Sequence, residues 1–252
     1  MLCLTPNMRT FALITWTLCA LTSVHALEPE RRPPAGMVGV VRLPELFGDP
    51  CERIQHKAVK LYAAPRTTTS IGTIEVTHPG VLDEYGSCGG LEVGLLMRGG
   101  RPAEALVTVE ASYEEYAAIV IAKSGPWCKL YRHSGSAWIH EECESGFISI
   151  EKLLDQQMLY LLEGAMDQAR SQPGGSSPKP RALLAAAHQD EQSLYARLLG
   201  HRTVGGHTWL HIAASWVNEC ERRPAPQEMF KFWLPLRDAS DRPNVWFHAR
   251  GC

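Results

Sequence analysis

Two later segments of the chain hold six of its seven tryptophans, and each alternates apolar with polar residues around short turns. They cover residues 125–143 and 209–252. Successive side chains of a β-strand point to opposite faces, so this period of two predicts short strands joined by tight turns. Chains built from many such strands form small barrels or sandwiches and not a parallel α/β sheet.

The N-terminus predicts a secretory signal peptide. Its first 26 residues carry one charge, on Arg9, followed by an apolar run over residues 11–24 and a small-residue cleavage site that ends at Ala26. The run is about 14 residues long, shorter than the roughly 17 to 25 residues that span a bilayer. We therefore expect cleavage near Ala26, no transmembrane segment and a periplasmic or secreted product.

The net charge argues against general attraction to nucleic acid. The chain has 25 Lys and Arg against 27 Asp and Glu, and loss of Arg9 with the signal peptide leaves 24 against 27, a net charge of −3. Nucleic-acid binding without a basic surface lacks its main electrostatic contribution. The remaining 226 or so residues make one large all-β domain or two small ones, and the distribution of the tryptophans favours two.

Six cysteines follow the signal peptide, and their even number predicts a disulfide framework, because small exported domains bury little apolar surface. They are Cys51, Cys88, Cys128, Cys143, Cys220 and Cys252. A two-residue turn at Ser134 and Gly135 places Tyr131 opposite Trp138 and brings two of the cysteines onto one face, offset by two residues. A four-residue loop over residues 134–137 places the same two directly opposite each other.

Either register predicts a bond between Cys128 and Cys143. The two cysteines of the C-terminal segment, Cys220 and Cys252, are then expected to pair. Cys51 and Cys88 remain for the third bond.

The pattern of residue types along the chain predicts a mainly all-β fold of two small barrels with a short helical or irregular connection. Residues 27–57 form an extended lead-in, whose proline-rich part over 27–45 is expected outside the core. Domain 1 covers residues 58–154, the linker and start of the second unit 155–180, and domain 2 181–252. Predicted strands are 59–65, 71–76, 91–96, 105–109, 117–123, 127–133 and 137–140.

Two later stretches are ambiguous between helix and strand. Residues 150–170 space their leucines and methionine at helical intervals, although part of the stretch fits a strand as well. Residues 172–180 break any regular element with glycines and prolines. Residues 181–200 have helical propensity but lie between two strand blocks, so both assignments stay open.

Several short patterns resemble the bacterial SH3-like (SH3b) domains of exported proteins. These are Leu-Tyr-Ala-Ala-Pro at 61–65, Tyr-Glu-Glu-Tyr-Ala at 113–117, Trp-x-Lys-Leu at 127–130 and Ser-Ala-Trp-Ile-His at 136–140. Trp-Leu-His-Ile at 209–212, Phe-Trp-Leu-Pro-Leu at 232–236 and the closing residues 245–252 are similar to the companion domain of uncharacterised proteins of this type. The resemblance implies two SH3-like barrels and leaves the activity open, because such barrels serve many functions. The chain departs from the pattern in Cys128 and Cys143 and in an insertion-like stretch over residues 77–100.

Four aromatic residues are the candidate ligand-binding residues: Tyr62, Trp127, Tyr131 and Trp138. SH3-like barrels present aromatic faces to extended ligands, which favours a groove for peptide or cell-wall material. The alternative is structural: Tyr131 and Trp138 form a cross-strand pair while Trp127 fills the barrel. The later tryptophans at 209, 233 and 246 are expected in the core.

No catalytic or metal-binding residue is predicted. Cys128, His133, His140 and Cys143 have a spacing that a zinc site can use, but in an exported chain a disulfide is favoured. His207 and His211 share one face of a strand but lack a third ligand. A cysteine peptidase needs a free, activated thiol beside a histidine, whereas all six cysteines can be paired.

The sequence therefore predicts an exported binding module without catalysis or cofactor. Its partner is expected to be peptidoglycan, a peptide or another envelope protein. An envelope hydrolase of the cysteine peptidase type and a purely structural or assembly protein are the alternatives.

Overall fold

A computed structural model describes residues 33–42, 58–78, 81–82, 88–89, 92–97, 104–112, 115–155, 157–174, 178–180 and 194–249. The described part is mainly β-sheet, which confirms the predicted class. Its strands are β1 (Gly39–Arg42), β2 (Val59–Tyr62), β3 (Ser70–His78), β4 (Val81–Leu82), β5 (Cys88–Gly89), β6 (Glu92–Met97), β7 (Glu104–Ala105), β8 (Thr108–Ser112), β9 (Glu115–Ser124), β10 (Trp127–Arg132), β11 (Gly135–Ile139), β12 (Phe147–Ser149), β13 (Met158–Leu161), β14 (Tyr195–Val204), β15 (His207–Ser215), β16 (Phe230–Pro235) and β17 (Val245–Phe247). The helices of the same residues are α1 (Glu141–Gly146), α2 (Ile150–Leu154), α3 (Ala165–Gln168) and a 3₁₀ turn at Pro226–Glu228.

The strands form antiparallel sheets. The first sheet has the order β12-β1-β9-β10-β11-β2-β3-β6-β7, with β8 on β9, and the second has the order β16-β15-β14-β13-β17. Strands β4 and β5 pair with each other. Both principal sheets are open in the described residues, so the SH3-like barrels stay a prediction.

Glycines form the turn of the β14–β15 hairpin in the second sheet. Val204 pairs with His207, which leaves Gly205 and Gly206 as the two turn residues. Their φ angles are 59° and 80°, the left-handed values that a type I′ turn requires at both positions. The longest ladder of that sheet, between β14 and β15, grows from this turn.

Two apolar clusters hold the sheets together. The first, the hydrophobic core on the inner face of the first sheet, is called HC-inner. It lies on one face of β1, β2, β3, β9, β10 and β11 and includes Val41, Leu61, Val120 and Leu130. The shared cluster joins the other face of β1 and β9 to the inward side chains of the second sheet, among them Phe232. Neighbouring side chains of β1 and β9 point to opposite faces, so these two strands contribute residues to both clusters.

The lead-in contributes to the core, contrary to the prediction for residues 27–45. Met37, Val40 and Val41 are fully buried. Strand β1 pairs with β12 and β9, and its adjacent residues Val40 and Val41 point to opposite faces, so each face packs against a different cluster. The prolines before it place the segment outside regular structure only up to about residue 38.

The helical prediction for residues 150–170 is correct only at its ends. Helix α2 begins after Ser149, whose Oγ accepts a hydrogen bond from the backbone N–H of Lys152 at 3.3 Å. The next apolar run becomes β13, which pairs with β14 and β17. A central strand buried on both faces needs no alternation, so its apolar run matches a buried helix equally well.

The second ambiguous stretch is strand from Tyr195 onward, and residues 181–193 lie outside the described residues. Residues 33–252 form one compact unit, and the shared cluster draws on both predicted domains. No helix in the described ranges is long and apolar enough to cross a membrane.

Candidate functional site

The β10–β11 turn determines which side chains of the first tryptophan segment share a face. Arg132 pairs with Gly135, so the turn residues are His133 and Ser134. Both predicted registers are therefore wrong. Cys128 pairs with Ile139, and Lys129 pairs with Trp138.

A carboxylate from a distant strand holds this turn in place. Glu104 of β7 accepts hydrogen bonds from the backbone N–H of Ser134 at 3.0 Å and from the Ser134 hydroxyl. The same carboxylate accepts from Nη2 of Arg132 at 2.7 Å, and Arg132 is only 8% exposed. Burial raises the pKa of Glu104, but the bonds from Ser134 and Arg132 and the Arg132 charge outweigh it and lower the pKa to about 2.

The predicted bond between Cys128 and Cys143 is present, with the two Cα atoms 5.4 Å apart. Cys143 lies in α1 and not in a paired strand, so the bond joins a helix to β10. Both cysteines are fully buried in HC-inner. The thiols that the zinc and peptidase alternatives would use are therefore consumed at these two positions.

The outer surface of strands β2, β11 and β10 carries the candidate site, which we call the aromatic face. Its members are half-buried and lie opposite the sealed core of HC-inner. They are Tyr62, Trp127, Lys129, Trp138 and His140. The period of two produces this arrangement, since Cys128 and Leu130 point inward while their neighbours Trp127 and Lys129 point outward.

Ring contacts connect the members of the aromatic face. Tyr62 meets Trp127 edge to face with the centroids 5.1 Å apart. Trp127 lies 4.5 Å from His140, again between centroids. Trp138 pairs across strands with both Tyr62 and Lys129, and the Lys129 Nζ is 5.9 Å from its ring centroid, within range of a cation–π attraction.

The structure brings Tyr62, Trp127 and Trp138 into ring contact or cross-strand pairing, and Tyr131 lies on the same face of β10 as Trp127. Tyr131 pairs with Ser136 and packs against the shared cluster. Its ring lies 6.2 Å from that of His133. The predicted pairing of Tyr131 with Trp138 is wrong, and Trp127 is half-buried between Tyr62 and His140.

A second aromatic group lies on the second sheet. His211 and Trp233 stack with centroids 4.6 Å apart and an interplanar angle of 9°, and the Arg202 guanidinium lies 5.9 Å from the Trp233 ring centroid. Burial, and then the charge of Lys231, lowers the pKa of His211. The sequence predicts Trp209, Trp233 and Trp246 in the core. Trp209 and Trp246 are buried, whereas Trp233 is half-buried.

Of the other four predicted cysteines, only Cys220 has a described side chain. Cys220 is disulfide-bonded, and its predicted partner Cys252 lies outside the described residues, as do Cys51 and the side chain of Cys88. Within the described residues, no three or more His, Cys, Asp or Glu side chains are placed to hold a metal ion.

Comparison with known proteins adds no assignment to this geometry. No protein-family model, no curated protein and no solved structure matches the chain.

Proposed function

We propose that this chain is an exported binding protein, without catalysis of its own, that holds an extended cell-wall ligand on the aromatic face. The observation that carries the proposal is the grouping of Tyr62, Trp127 and Trp138 on one half-exposed surface. HC-inner fills the opposite face of these strands, so the three rings do not belong to that core.

The aromatic face offers one continuous apolar patch to a ligand. Its rings come from three adjacent strands, and those of Tyr62 and Trp127, on the outer two strands, converge until their centroids are 5.1 Å apart. Half-exposed tryptophan and tyrosine supply large apolar area with little loss of conformational freedom, which is why they dominate such surfaces. Lys129 and the neighbouring exposed Lys60 add positive charge beside the rings.

Peptidoglycan combines an apolar surface for the rings with negative charge for the lysines. Its glycan strands present apolar sugar faces to aromatic rings, and its stem peptides carry carboxylates for the lysines. A short peptide alone, or another envelope protein, remains the alternative occupant of the same surface.

The peptidase alternative receives no support from the described cysteines. Cys128, Cys143 and Cys220 are all in disulfides and offer no nucleophilic thiolate.

The test is binding of the purified protein to insoluble peptidoglycan over a range of salt concentrations. We expect retention, and a loss of affinity of about tenfold or more in Trp127→Ala and Trp138→Ala, because central aromatic contacts dominate such interfaces. Tyr116→Ala is the matched control, since this tyrosine is 42% exposed on β9 and outside the aromatic face. Circular dichroism checks that each variant is folded.

Absence of retention at every salt concentration contradicts a wall ligand. Equal retention of the tryptophan variants and the wild type contradicts the aromatic face. Retention that free stem peptide alone competes away assigns the surface to peptide.

A further inference from the structure

Positive charge is concentrated on the outer side of strands β14, β15 and β16 of the second sheet. These strands contain Arg197, Arg202 and Lys231 but neither Asp nor Glu, although the whole chain has more acidic than basic residues. Their inward residues, among them Ile212 and Phe232, belong to the shared cluster. The three cations alternate with inward residues and therefore point to the opposite side, which we call the cationic face.

A stacked pair of rings lies in the middle of the cationic face. His211 and Trp233 are cross-strand partners, and their ring centroids are 4.6 Å apart with an interplanar angle of 9°. The Arg202 guanidinium comes from β14 and lies 5.9 Å from the Trp233 ring centroid, so its side chain reaches across β15. Lys231 is near enough to His211 for its charge to contribute, after burial, to the lowered pKa of that ring. Both cations thus lie beside one ring pair.

The register places these two cations on opposite sides of the ring pair. Arg202 pairs with Trp209 and Lys231 with Ala213, which lie two residues before and two residues after His211 on β15. Both cations are exposed. A ligand that lies over the ring pair can therefore meet one cation from each side.

The charges of Arg202 and Lys231 are not neutralised within the described part of the chain. Neither side chain forms a hydrogen bond or an ion pair with a residue that the structure describes. Arg197, the third cation of the face, is in contrast paired with Glu219. The cationic face therefore keeps two free positive charges.

Glycine leaves room beside the ring pair. Gly200 is the cross-strand partner of His211 on β14. No described atom lies within 4 Å of the position that a Cβ of residue 200 would occupy, so the space next to the imidazole is open. A small ligand can reach His211 from this side.

We propose that the cationic face binds a soluble phosphate monoester, with the phosphate between Arg202 and Lys231 beside the His211–Trp233 pair. A phosphate monoester carries close to two negative charges at neutral pH, because its second pKa is about 6, and so matches the two free cations. A guanidinium binds phosphate through two parallel N–H groups, and an ammonium binds it as a point charge. His211 adds a third donor, since even a neutral imidazole keeps one N–H.

Two other ligand types fit this face less well. A single carboxylate would leave one of the two cations without a counter-charge. A membrane surface is bound through clusters of roughly four to eight lysines and arginines, more than the two free cations here. The cationic face shares no residue with the aromatic face, so the proposal is independent of the cell-wall ligand.

The test is a titration of the purified protein with methyl phosphate at about pH 7.5, where this ester is mainly the dianion. Nuclear magnetic resonance of the His211 ring protons and the Trp233 indole N–H reports binding at the site. We expect saturable one-to-one binding that shifts both signals. Methyl sulfate has the same tetrahedral shape with one negative charge fewer and should bind at least about fivefold more weakly.

Arg202→Gln and Lys231→Gln should each weaken the binding of methyl phosphate by about fivefold or more. The matched control is Lys152→Gln, which removes an exposed cation of α2 outside the second sheet and should leave the affinity unchanged.

Equal binding of methyl phosphate and methyl sulfate overturns the proposal, as does unchanged affinity in Arg202→Gln and Lys231→Gln. A titration without saturation, or an equal loss in Lys152→Gln, would mean an adventitious ion only. Retention on phosphatidic acid vesicles without binding of methyl phosphate would assign the face to a membrane and also overturn the proposal. The methyl sulfate comparison uses the wild-type protein and decides the matter even if a variant is poorly folded.

Discussion

At the scale of single residues, alternation in the sequence predicts which side chains share a face but not which rings meet. Trp127, Tyr131 and Trp138 lie on the same face, as strand periodicity predicts, but Tyr131 pairs with Ser136 and packs against the shared cluster. The turn lies one position before the one that local preference selects at Ser134 and Gly135, and Glu104, thirty residues before Ser134, is hydrogen-bonded to it. Contacts over such a separation are absent from a local pattern.

Glu104→Gln is expected to destabilise the protein at neutral pH. The carboxylate has a pKa of about 2 in the fold against 4.5 ordinarily, so its ionised form stabilises the folded state above pH 4.5 and this stabilisation is lost as the pH falls towards 2. Partial exposure of the ion pair reduces the effect to the order of 2 kcal/mol. Denaturant unfolding from pH 7 to pH 2 measures it.

In that series the wild type and Glu104→Gln should converge at low pH, because protonated Glu104 and glutamine are both neutral. Glu144→Gln, which changes an exposed carboxylate, should follow the wild type throughout. If the difference in free energy of unfolding between Glu104→Gln and the wild type stays constant over the whole pH range, the ionised carboxylate is not its source.

At the scale of secondary-structure elements, the predicted strands of the first sheet are mostly correct. Strands β2, β3, β10 and β11 fall where apolar and polar residues alternate, and β9 is a continuous apolar run that ends at Lys123 and Ser124. Strand β13 is ambiguous in the sequence, because its residues fit a buried helix equally well and its pairing with β14 and β17 is decided by tertiary contacts. Helix α1 was also missed, since its six residues, Glu-Glu-Cys-Glu-Ser-Gly, carry no apolar period.

The bond from β10 to α1 is expected to be the main constraint on that helix, which is only six residues long. Replacing both Cys128 and Cys143 with alanine opens a loop with a sequence separation of 15 and should lower the free energy of unfolding by about 3 kcal/mol. Denaturant unfolding of the double variant measures the loss. A midpoint equal to that of the wild type would mean that buried packing alone holds the helix.

At the scale of the whole molecule, the division into two domains follows from the tryptophan segments, yet one apolar cluster serves both. The shared cluster combines Val40 and Ile119 of the first sheet with Leu210 and Phe232 of the second. Met37, from the segment expected outside the core, lies in it too. Sequence patterns show which residues are apolar but not which distant element covers them. A core shared by two segments therefore cannot be predicted from those patterns.

The shared cluster predicts that the two sheets unfold together. Phe232 belongs to the second sheet and is 1% exposed, so Phe232→Ala should cost about 3 to 5 kcal/mol through the cavity that it leaves. Hydrogen exchange read by mass spectrometry should then show protection lost to the same extent in β9 of the first sheet and in β15 of the second, because opening either exposes the common core. Ile74→Ala, in HC-inner, is the reciprocal variant and should affect β15 as well. Loss confined to the mutated sheet in both variants would instead establish two independently stable domains, the division that the tryptophan segments predict.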